Sequence, residues 1–162
     1  MKLIPLTQGL IAKIDDEDYY YINQWKWCAV KDGNTYYALR TTSKGETFRM
    51  HIEICNSNGI DHIDGDGLNN QKLNLRKANK SQNGANQKKN RVSSSIFKGV
   101  TFYKRTNKYM SRIGFNNKSI TLGYYTDELT AAAIYDLAAI KYFGDFAQTN
   151  FPKKSVTNNG RN

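Results

Sequence analysis

Residues 60–76 read IDHIDGDGLNNQKLNLR and hold His62, one of only two histidines in the chain. Asp61 precedes this histidine directly, and acids, asparagines and two glycines follow it. A neutral imidazole, whose ordinary pKa is about 6.5, can take up a proton near neutral pH. An aspartate oxygen is a ligand that Mg²⁺ prefers, and this ion keeps several waters when it binds to protein. The segment therefore predicts a polar site that combines a histidine with a divalent cation.

The glycines and acids of this segment decide how its side chains can meet. Adjacent residues of a strand point to opposite faces, so Asp61 and His62 can share one site only at a twist or a bulge, which the two glycines permit. Asp64 and its neighbours also resemble the start of a calcium loop, but an EF-hand needs a glutamate where this chain has Leu75. We therefore interpret the acids after His62 as turn-forming residues.

The net charge of +10 predicts an anionic partner for this chain of 162 residues. No acid occurs between Asp66 and Asp127, and that span carries thirteen lysines and arginines. A solvated surface or an anionic membrane would explain a short basic run, but the length of this one favours nucleic acid, with RNA and DNA both open. Cys28 and Cys55 are too few for a disulfide framework, which favours reduced thiols in a cytosolic protein. The N-terminus lacks the apolar run of a signal peptide.

The pattern of strands, helices and turns predicts an α+β protein with two modules. Residues 1–86 read as a β-rich N-terminal segment followed by the polar site. We expect a basic linker over 87–95, a second module over 96–152 and a disordered tail over 153–162.

Within the first module, an extended run at 25–30 and a turn at 32–34 predict a hairpin, and residues 74–86 predict a short helix. The aromatic residues of this region are interpreted as core.

The second module predicts a three-stranded antiparallel sheet packed on one helix. Its strands are expected at 97–103, 108–115 and 118–124, and its helix from an N-cap at Thr126 to Phe143. Alternation along the strands places apolar side chains toward the helix. It places four polar side chains on the other face: Lys108, Arg112, Ser119 and Thr121. Such a basic sheet face can lie in a DNA groove.

The segment around His62 resembles the phage and intron-homing branch of the HNH endonuclease family. The matching motifs are Asp61-His62-Ile63-Asp64-Gly65, Asn69-Asn70, Asn74-Leu75-Arg76 and Ser81-Gln82-Asn83. The resemblance implies a ββα-metal (His-Me finger) module with His62 as general base. It also implies Asp61 and Asn83 as ligands of Mg²⁺ or Mn²⁺, Asn74 as the residue that pins the loop and orients the base, and no structural zinc. His51 lies in a segment that resembles a further family motif and is a structural candidate.

Residues 96–152 resemble the AP2/ERF DNA-binding domain. The matching motifs are Phe97-Lys98-Gly99-Val100, Arg112-Ile113, Ile120-Thr121-Leu122-Gly123-Tyr124, the alanine-rich helix 131–139 and Asn150-Phe151-Pro152. The resemblance implies that the sheet lies in the major groove of DNA. The residues that it implies to face DNA are Lys98, Thr101, Tyr103, Arg105, Arg112, Ser119 and Thr121. Several positions that are Arg or Trp in plant members are Thr, Tyr or Ser here, which predicts looser or different sequence specificity.

Together the two resemblances predict a Mg²⁺-dependent DNA endonuclease of the HNH homing or phage type. This phosphodiester hydrolase would nick one strand of double-stranded DNA per active site, with the AP2-like domain selecting the site. It is expected in the cytoplasm of a bacterial host, encoded by a phage or mobile element, as a monomer or weak dimer without a membrane partner. The alternative is a non-catalytic, sequence-specific DNA-binding regulator. A third option is an RNA-binding or RNA-cutting protein.

Overall fold

The computed structural model of the chain describes residues 1–89 and 94–152. The chain divides into two compact units, Met1–Asn90 and Arg91–Asn162. Both units combine antiparallel strands with helices, which confirms the predicted α+β class. Part of the predicted linker (90–93) and the whole predicted tail (153–162) lie outside the described residues. No helix within the described ranges is long and apolar enough to cross a membrane.

The first unit begins with a hairpin and continues into a three-stranded antiparallel sheet. Its first elements are β1 (Lys2–Pro5), β2 (Ile11–Ile14), α1 (Tyr19–Ile22), β3 (Cys28–Asp32), β4 (Thr35–Thr41), β5 (Thr47–Arg49) and α2 (Met50–Cys55). β1 pairs with β2, and the second sheet has the order β3-β4-β5. The predicted turn joins β3 to β4, with Asp32 opposite Thr35. Apolar side chains from these elements form one core, which includes Ile4, Ile14, Ile22, Trp27 and Met50.

The strand predicted over residues 25–30 begins only at Cys28. Trp25 instead packs its ring against the Arg40 guanidinium, whose central carbon lies 4.4 Å from the ring centroid. Arg40 also forms an ion pair with the buried Glu53 carboxylate. The Arg40 guanidinium thus contacts the Trp25 ring and the Glu53 carboxylate, and both contacts stabilise this part of the sheet. Trp25 therefore has a structural role although its side chain is partly exposed.

The polar segment forms a two-stranded antiparallel ribbon followed by a helix. Its elements are β6 (Ile60–His62), β7 (Leu75–Lys77) and α3 (Lys80–Asn86). Asp61 lies opposite Arg76 in the ribbon, so the prediction of a helix starting at residue 74 is wrong there. The helix begins only after Asn79, whose side chain accepts a hydrogen bond from the Gln82 amide while the Gln82 side chain accepts one from the Asn79 amide. This capping box determines where the helix starts.

The second unit is a three-stranded antiparallel sheet with one helix. Its elements are β8 (Val100–Tyr103), β9 (Lys108–Phe115), β10 (Lys118–Tyr125) and α4 (Glu128–Phe143), and the strand order is β10-β9-β8. The predicted elements are present, with two shifts at their ends. The first strand starts at Val100 and not at residue 97, because Gly99 has a φ of 75°, which a β-strand does not accommodate. The helix N-cap is Asp127 and not Thr126, because the Asp127 carboxylate accepts a hydrogen bond of 2.6 Å from the Thr130 amide.

Helix α4 packs closely on the sheet because small side chains line its inner surface. Ala131 and Ala132 are completely buried, and Ala139 is 1% exposed. The ring of Tyr135 lies directly over Gly99, where an added Cβ would come within 1.9 Å of a ring carbon. Only a residue without a side chain fits under this ring.

Asp136 of helix α4 joins the segment that follows the helix to the segment that precedes β8. Its buried carboxylate accepts hydrogen bonds from the amides of Asn150 and Phe151, at 2.8 and 2.9 Å. The Asn150 side chain in turn accepts a bond from the Lys98 amide and donates one to the Lys98 carbonyl. Residues 98 and 150 therefore lie side by side.

Candidate functional sites

The sheet of the second unit has one face buried under α4 and one exposed face. On the central strand β9, Ser111 and Ile113 are buried whereas Lys108, Arg112 and Gly114 are exposed. β8 and β10 continue the same alternation on either side. The structure therefore has the polar and apolar sheet faces that strand parity predicts.

The exposed face collects five of the seven residues predicted to contact DNA. These five are Thr101, Tyr103, Arg112, Ser119 and Thr121. Arg105 lies in the exposed turn between β8 and β9. Lys98 lies before the first strand, half-buried near Asp136, and burial lowers the pKa of its ammonium group to about 8. Lys98 is thus outside the group that the sheet brings together.

Two large apolar side chains of this face, Met110 and Tyr124, are not among the seven. Met110 has the same strand parity as Arg112 and could have been found from the sequence. Tyr124 could not, because the pairing of β10 with β9 shifts between Thr121 and Gly123 and reverses the parity beyond that point. The register places Thr101, Met110 and Tyr124 in one row across the three strands. A bulge is a local feature that simple alternation misses.

The rings of Tyr103 and Tyr124 meet across the central strand. These residues belong to the two outer strands, yet their ring centroids are only 5.8 Å apart. Two strands that flank a third are about 9–10 Å apart, so both rings lean inward over β9. We call Tyr103, Met110 and Tyr124 the apolar cluster. Tyr103 and Tyr124 remain 39% and 48% exposed, so the cluster is open to a partner.

Charge is distributed unequally between the two sides of the second unit. The strands and turns that form the sheet contain no acid and carry Lys104, Arg105, Lys108, Arg112 and Lys118. The acids begin at the N-cap of α4 and comprise Asp127, Glu128, Asp136 and Asp145. The exposed sheet face thus combines positive charge with an absence of like-charge repulsion toward phosphate.

A second candidate site lies in the first unit, where a polar cavity of about 240 Å³ opens beside the β6–β7 ribbon. Its lining includes Asp61 and His62 from β6, Asn83 and Asn86 from α3, and Arg49 from the end of β5. The fold therefore brings three of the four residues predicted for the metal and the base, Asp61, His62 and Asn83, to one cavity.

Asp61 is 6% exposed, and each of its carboxylate oxygens accepts a hydrogen bond from a neighbouring side chain. Its Oδ2 atom accepts hydrogen bonds from Nε and Nη2 of Arg76 at 3.1 and 3.0 Å. Its Oδ1 atom accepts one from the Asn86 side chain at 3.3 Å, and that same amide donates to the His62 carbonyl at 2.7 Å. Asn86 was not predicted, although its position on the inner side of α3 is what joins helix and ribbon.

His62 is buried and belongs to a pair of histidines. Its ring lies 4.8 Å from that of His51, and its Nε2 atom lies 3.1 Å from Oδ1 of the completely buried Asn70. Burial lowers the pKa of His62, against the opposing effect of the Asn70 hydrogen bond. Burial, followed by the charges of His62 and Arg49, lowers the pKa of His51 to about 3. Both imidazoles are therefore neutral at physiological pH.

Asn74 braces the loop after His62 but does not contact the histidine ring through any bond that the structure describes. Its side chain donates to the Asn69 carbonyl and to the Asp64 carboxylate, and it accepts from the Asp64 amide. The orienting contact to His62 comes from Asn70 instead. Asp64 and Asp66 accept hydrogen bonds from amides two residues ahead, at 2.8 and 3.0 Å, as expected of turn-forming residues.

The donor set of this cavity fits Mg²⁺ or Mn²⁺ in type. No group of three or more His, Cys, Asp or Glu side chains within the described ranges could hold a metal ion. Asp61 and Asn83 offer oxygen ligands, and a hard cation that keeps several waters can bind with only one or two such groups. The Arg76 guanidinium already neutralises the Asp61 carboxylate, which weakens the attraction for a cation.

Known proteins are similar to the chain in its C-terminal part. The AP2-like ethylene-responsive transcription factor AIL7 of Arabidopsis thaliana is 38% identical over 73 residues, which is 39% of this chain and 15% of that protein. APETALA2-like protein 2 of Oryza sativa subsp. indica is 44% identical over 61 residues, which is 38% of this chain and 14% of that protein. The ethylene-responsive transcription factor WRI1 of Arabidopsis thaliana is 44% identical over 59 residues, covering 35% of this chain and 14% of its own length. No protein-family model matches the chain.

These similarities support an AP2/ERF DNA-binding domain in the C-terminal part of the chain, which matches only about a seventh of the length of these relatives. They contradict the predicted Mg²⁺-dependent HNH endonuclease, because the relatives are transcription factors. The enzyme prediction is therefore wrong. The predicted origin from a phage or mobile element, in a bacterial cytoplasm, is also wrong, since the relatives are plant proteins.

Proposed function

We propose that the chain is a sequence-specific regulator that binds double-stranded DNA through the exposed face of β8, β9 and β10. The observation that carries this proposal is an acid-free sheet face with Arg112 at its centre strand, opposite a helix side that holds the acids of the unit. The similarity to plant transcription factors over the same part of the chain supports it.

A sheet face of this kind suits the major groove. That groove admits β-strands, and each base pair presents there a distinct pattern of donors, acceptors and methyl groups. Arg112 can donate two hydrogen bonds to a guanine, and Thr121 beside it can donate to or accept from a base. Arg105 in the β8–β9 turn can reach a phosphate, which positions the domain without reading sequence.

The test is selection of bound sequences from a pool of random duplexes, followed by affinity measurement on the selected site. Arg112→Ala is expected to weaken binding about tenfold to a hundredfold and to relax the preference at one base pair. If Arg112 contacts a phosphate instead, the loss is uniform across sequences and the salt slope falls by about one.

Lys141→Ala is the matched control, because it removes one exposed positive charge from α4 on the other side of the same unit. It is expected to leave affinity and preference unchanged. If selection yields no common sequence, or if RNA duplexes compete as well as DNA, the proposed function is wrong.

For the first unit, we propose that β6, β7 and α3 form a ββα-metal arrangement that binds one divalent cation without catalysing hydrolysis. Asp61 and Asn83 would hold Mg²⁺ or Mn²⁺, because both line the same cavity and both supply oxygen ligands. The bound ion would add positive charge to the wall of this cavity. In this role His62 and Asn74 are structural, since their side chains hold the loop that surrounds the site.

Binding of Mn²⁺, followed by its electron paramagnetic resonance signal, tests the cation site directly. Asn83→Ala is expected to reduce Mn²⁺ affinity severalfold, because it removes one of the two proposed protein ligands. The Asn83 side chain is exposed, so its removal is not expected to disturb the fold. Asn34→Ala, at another residue lining the cavity, is the control and is expected to leave the affinity unchanged. Equal Mn²⁺ affinity in wild type and Asn83→Ala would rule out the proposed ligand set.

A further inference from the structure

One part of the exposed sheet face is apolar, although the face as a whole is basic. The apolar cluster (Tyr103, Met110 and Tyr124) occupies the strands near the β8–β9 turn, with its two rings leaning over the central strand. The charged groups lie around it: Lys108 next to Tyr103 at the strand end, and Arg112 one row further along β9. A partner that meets this face therefore meets an apolar patch with a positive charge on either side of it along β9.

Among the groups that base pairs expose in the major groove, the C5-methyl group of thymine is the apolar one. Guanine, cytosine and adenine present hydrogen-bond donors and acceptors there, whereas thymine adds the C5-methyl group. An apolar side chain placed on a polar base edge would leave donors or acceptors unpaired, which costs free energy. The same side chain placed on a thymine methyl removes apolar surface from water on both sides.

We infer that the apolar cluster reads thymine methyl groups in the DNA site, adjacent to the base pair that Arg112 contacts. This inference rests on the proposed function and adds the chemical class of base that this part of the sheet selects. The threonine methyl groups of Thr101 and Thr121 lie in the same rows as Met110 and Arg112 and extend the apolar contact. The preorganised contact of the two rings means that neither ring loses much side-chain freedom when DNA binds.

Replacement of thymine by uracil tests the inference, because uracil differs from thymine only by the missing methyl group. Each thymine of the selected duplex is replaced in turn, and the affinity is measured by fluorescence anisotropy. At one or two positions the wild type is expected to bind the uracil duplex about fourfold more weakly per methyl, which corresponds to about 0.8 kcal/mol. At the other thymines the two duplexes are expected to bind equally.

Variants of Tyr124 connect this thymine preference to the cluster. Tyr124→Ala is expected to bind thymine and uracil duplexes with a ratio close to one, while Tyr124→Phe, which keeps the ring, is expected to retain the wild-type ratio. Met110→Ala gives a second removal of apolar surface with the same expectation. Lys108→Ala is the charge control, since it is expected to weaken both duplexes equally.

Two results would overturn the inference while leaving the proposed function intact. One is a selected site at which no thymine-to-uracil change alters the affinity. The other is a thymine preference that Tyr124→Ala and Met110→Ala both preserve. Failure of the wild type to select any sequence would instead contradict the proposed function itself.

Discussion

At the scale of single residues, Asn70 holds together the interior of the first unit. It is completely buried, its Oδ1 atom contacts His62, and its Nδ2 atom donates to the Leu68 carbonyl at 3.2 Å and contacts the Met50 sulfur at 3.5 Å. Asn70→Ala is expected to lower the free energy of unfolding by about 2–3 kcal/mol, because it leaves buried polar groups without partners. Urea unfolding measures this loss.

Asn58→Ala provides the comparison for that measurement, because the Asn58 side chain is exposed. A change within about 0.5 kcal/mol is expected there. An Asn70→Ala protein as stable as Asn58→Ala would mean that His62 and Leu68 find other partners.

Ionisation of Asp15 makes the stability of the first unit depend on pH in the acidic range. The Lys72 amide and the Gln71 side chain donate to its two oxygens at 2.7 and 3.1 Å, and these hydrogen bonds lower its pKa below the ordinary 3.8. A carboxyl whose pKa is depressed in the folded state stabilises the fold above its unfolded pKa and loses that contribution as pH falls through the folded pKa. The gain is therefore present at pH 6 and disappears as the pH falls below about 3.8.

Asp15→Asn is expected to lower the midpoint temperature of unfolding at pH 6 and to lower it less at pH 2.5, because the contribution of the charged carboxylate decreases below the unfolded pKa of 3.8. Calorimetry at the two pH values measures both differences. A variant that loses the same stability at both pH values would assign the effect to packing and not to the charge.

The hydrogen bonds of individual residues could be predicted from the sequence only where they are local. The turn roles of Asp64 and Asp66 follow from their own neighbours, because an aspartate bonds the amide two residues ahead in many loops. The contact between His62 and Asn70 spans a loop whose course is set by Asn74 and by Thr35 of another strand. Such contacts depend on the finished fold.

At the scale of secondary-structure elements, the close approach of α4 to the sheet depends on Gly99. Gly99→Ala is expected to lower the stability of the second unit by about 3–5 kcal/mol, since the added Cβ would overlap the Tyr135 ring and the φ of 75° is strained for alanine. Thermal unfolding followed by circular dichroism measures the loss.

Gly114→Ala is the matched control in the same sheet. Its Cβ would come no closer than 4.0 Å to another atom outside its immediate neighbours, and its φ is not positive. Little change in stability is expected. Equal effects of the two substitutions would indicate that α4 can move away from the sheet without cost.

The order of elements was predictable in the second unit and less so in the first. Turn residues and alternation of apolar and polar side chains predict β9 and β10, and both strands lie where the pattern predicts them. The local sequence of residues 75–77 permits a helix, but pairing with β6 makes them a strand. Likewise, the shift after Thr121 turns Tyr124 outward. Long-range pairing overrides local preference at such positions.

At the scale of the whole molecule, the concentration of positive charge predicts strong salt dependence of DNA binding. Each counterion that DNA releases on binding gains less entropy as the salt concentration in solution rises, so log affinity falls linearly with log salt by about 0.9 for each phosphate contacted. Arg105→Ala is expected to reduce the magnitude of this slope by about 0.9, because Arg105 lies in an exposed turn at the edge of the sheet. Anisotropy titrations over a series of salt concentrations give the slope.

Lys141→Ala carries the same charge change without a place on the sheet and is expected to leave the slope unaltered. An unchanged slope in Arg105→Ala would remove that residue from the phosphate contacts. The sequence alone predicts a nucleic-acid partner, because the net charge and the acid-free span between Asp66 and Asp127 can both be read from it.

Hydrogen bonds join Lys98 to Asn150, and Asn150 to Asp136, so residues 98 and 150 lie side by side. This geometry makes the stretch between them suitable for transfer into another protein. A stretch such as 98–150, whose two boundary residues are neighbours, can be inserted into a surface loop of another protein with little distortion of the host, because the host need only bridge a short gap. The same geometry would allow circular permutation of this stretch. A short peptide would join the neighbouring positions 98 and 150, and new termini would be placed in the Asn116–Asn117 turn.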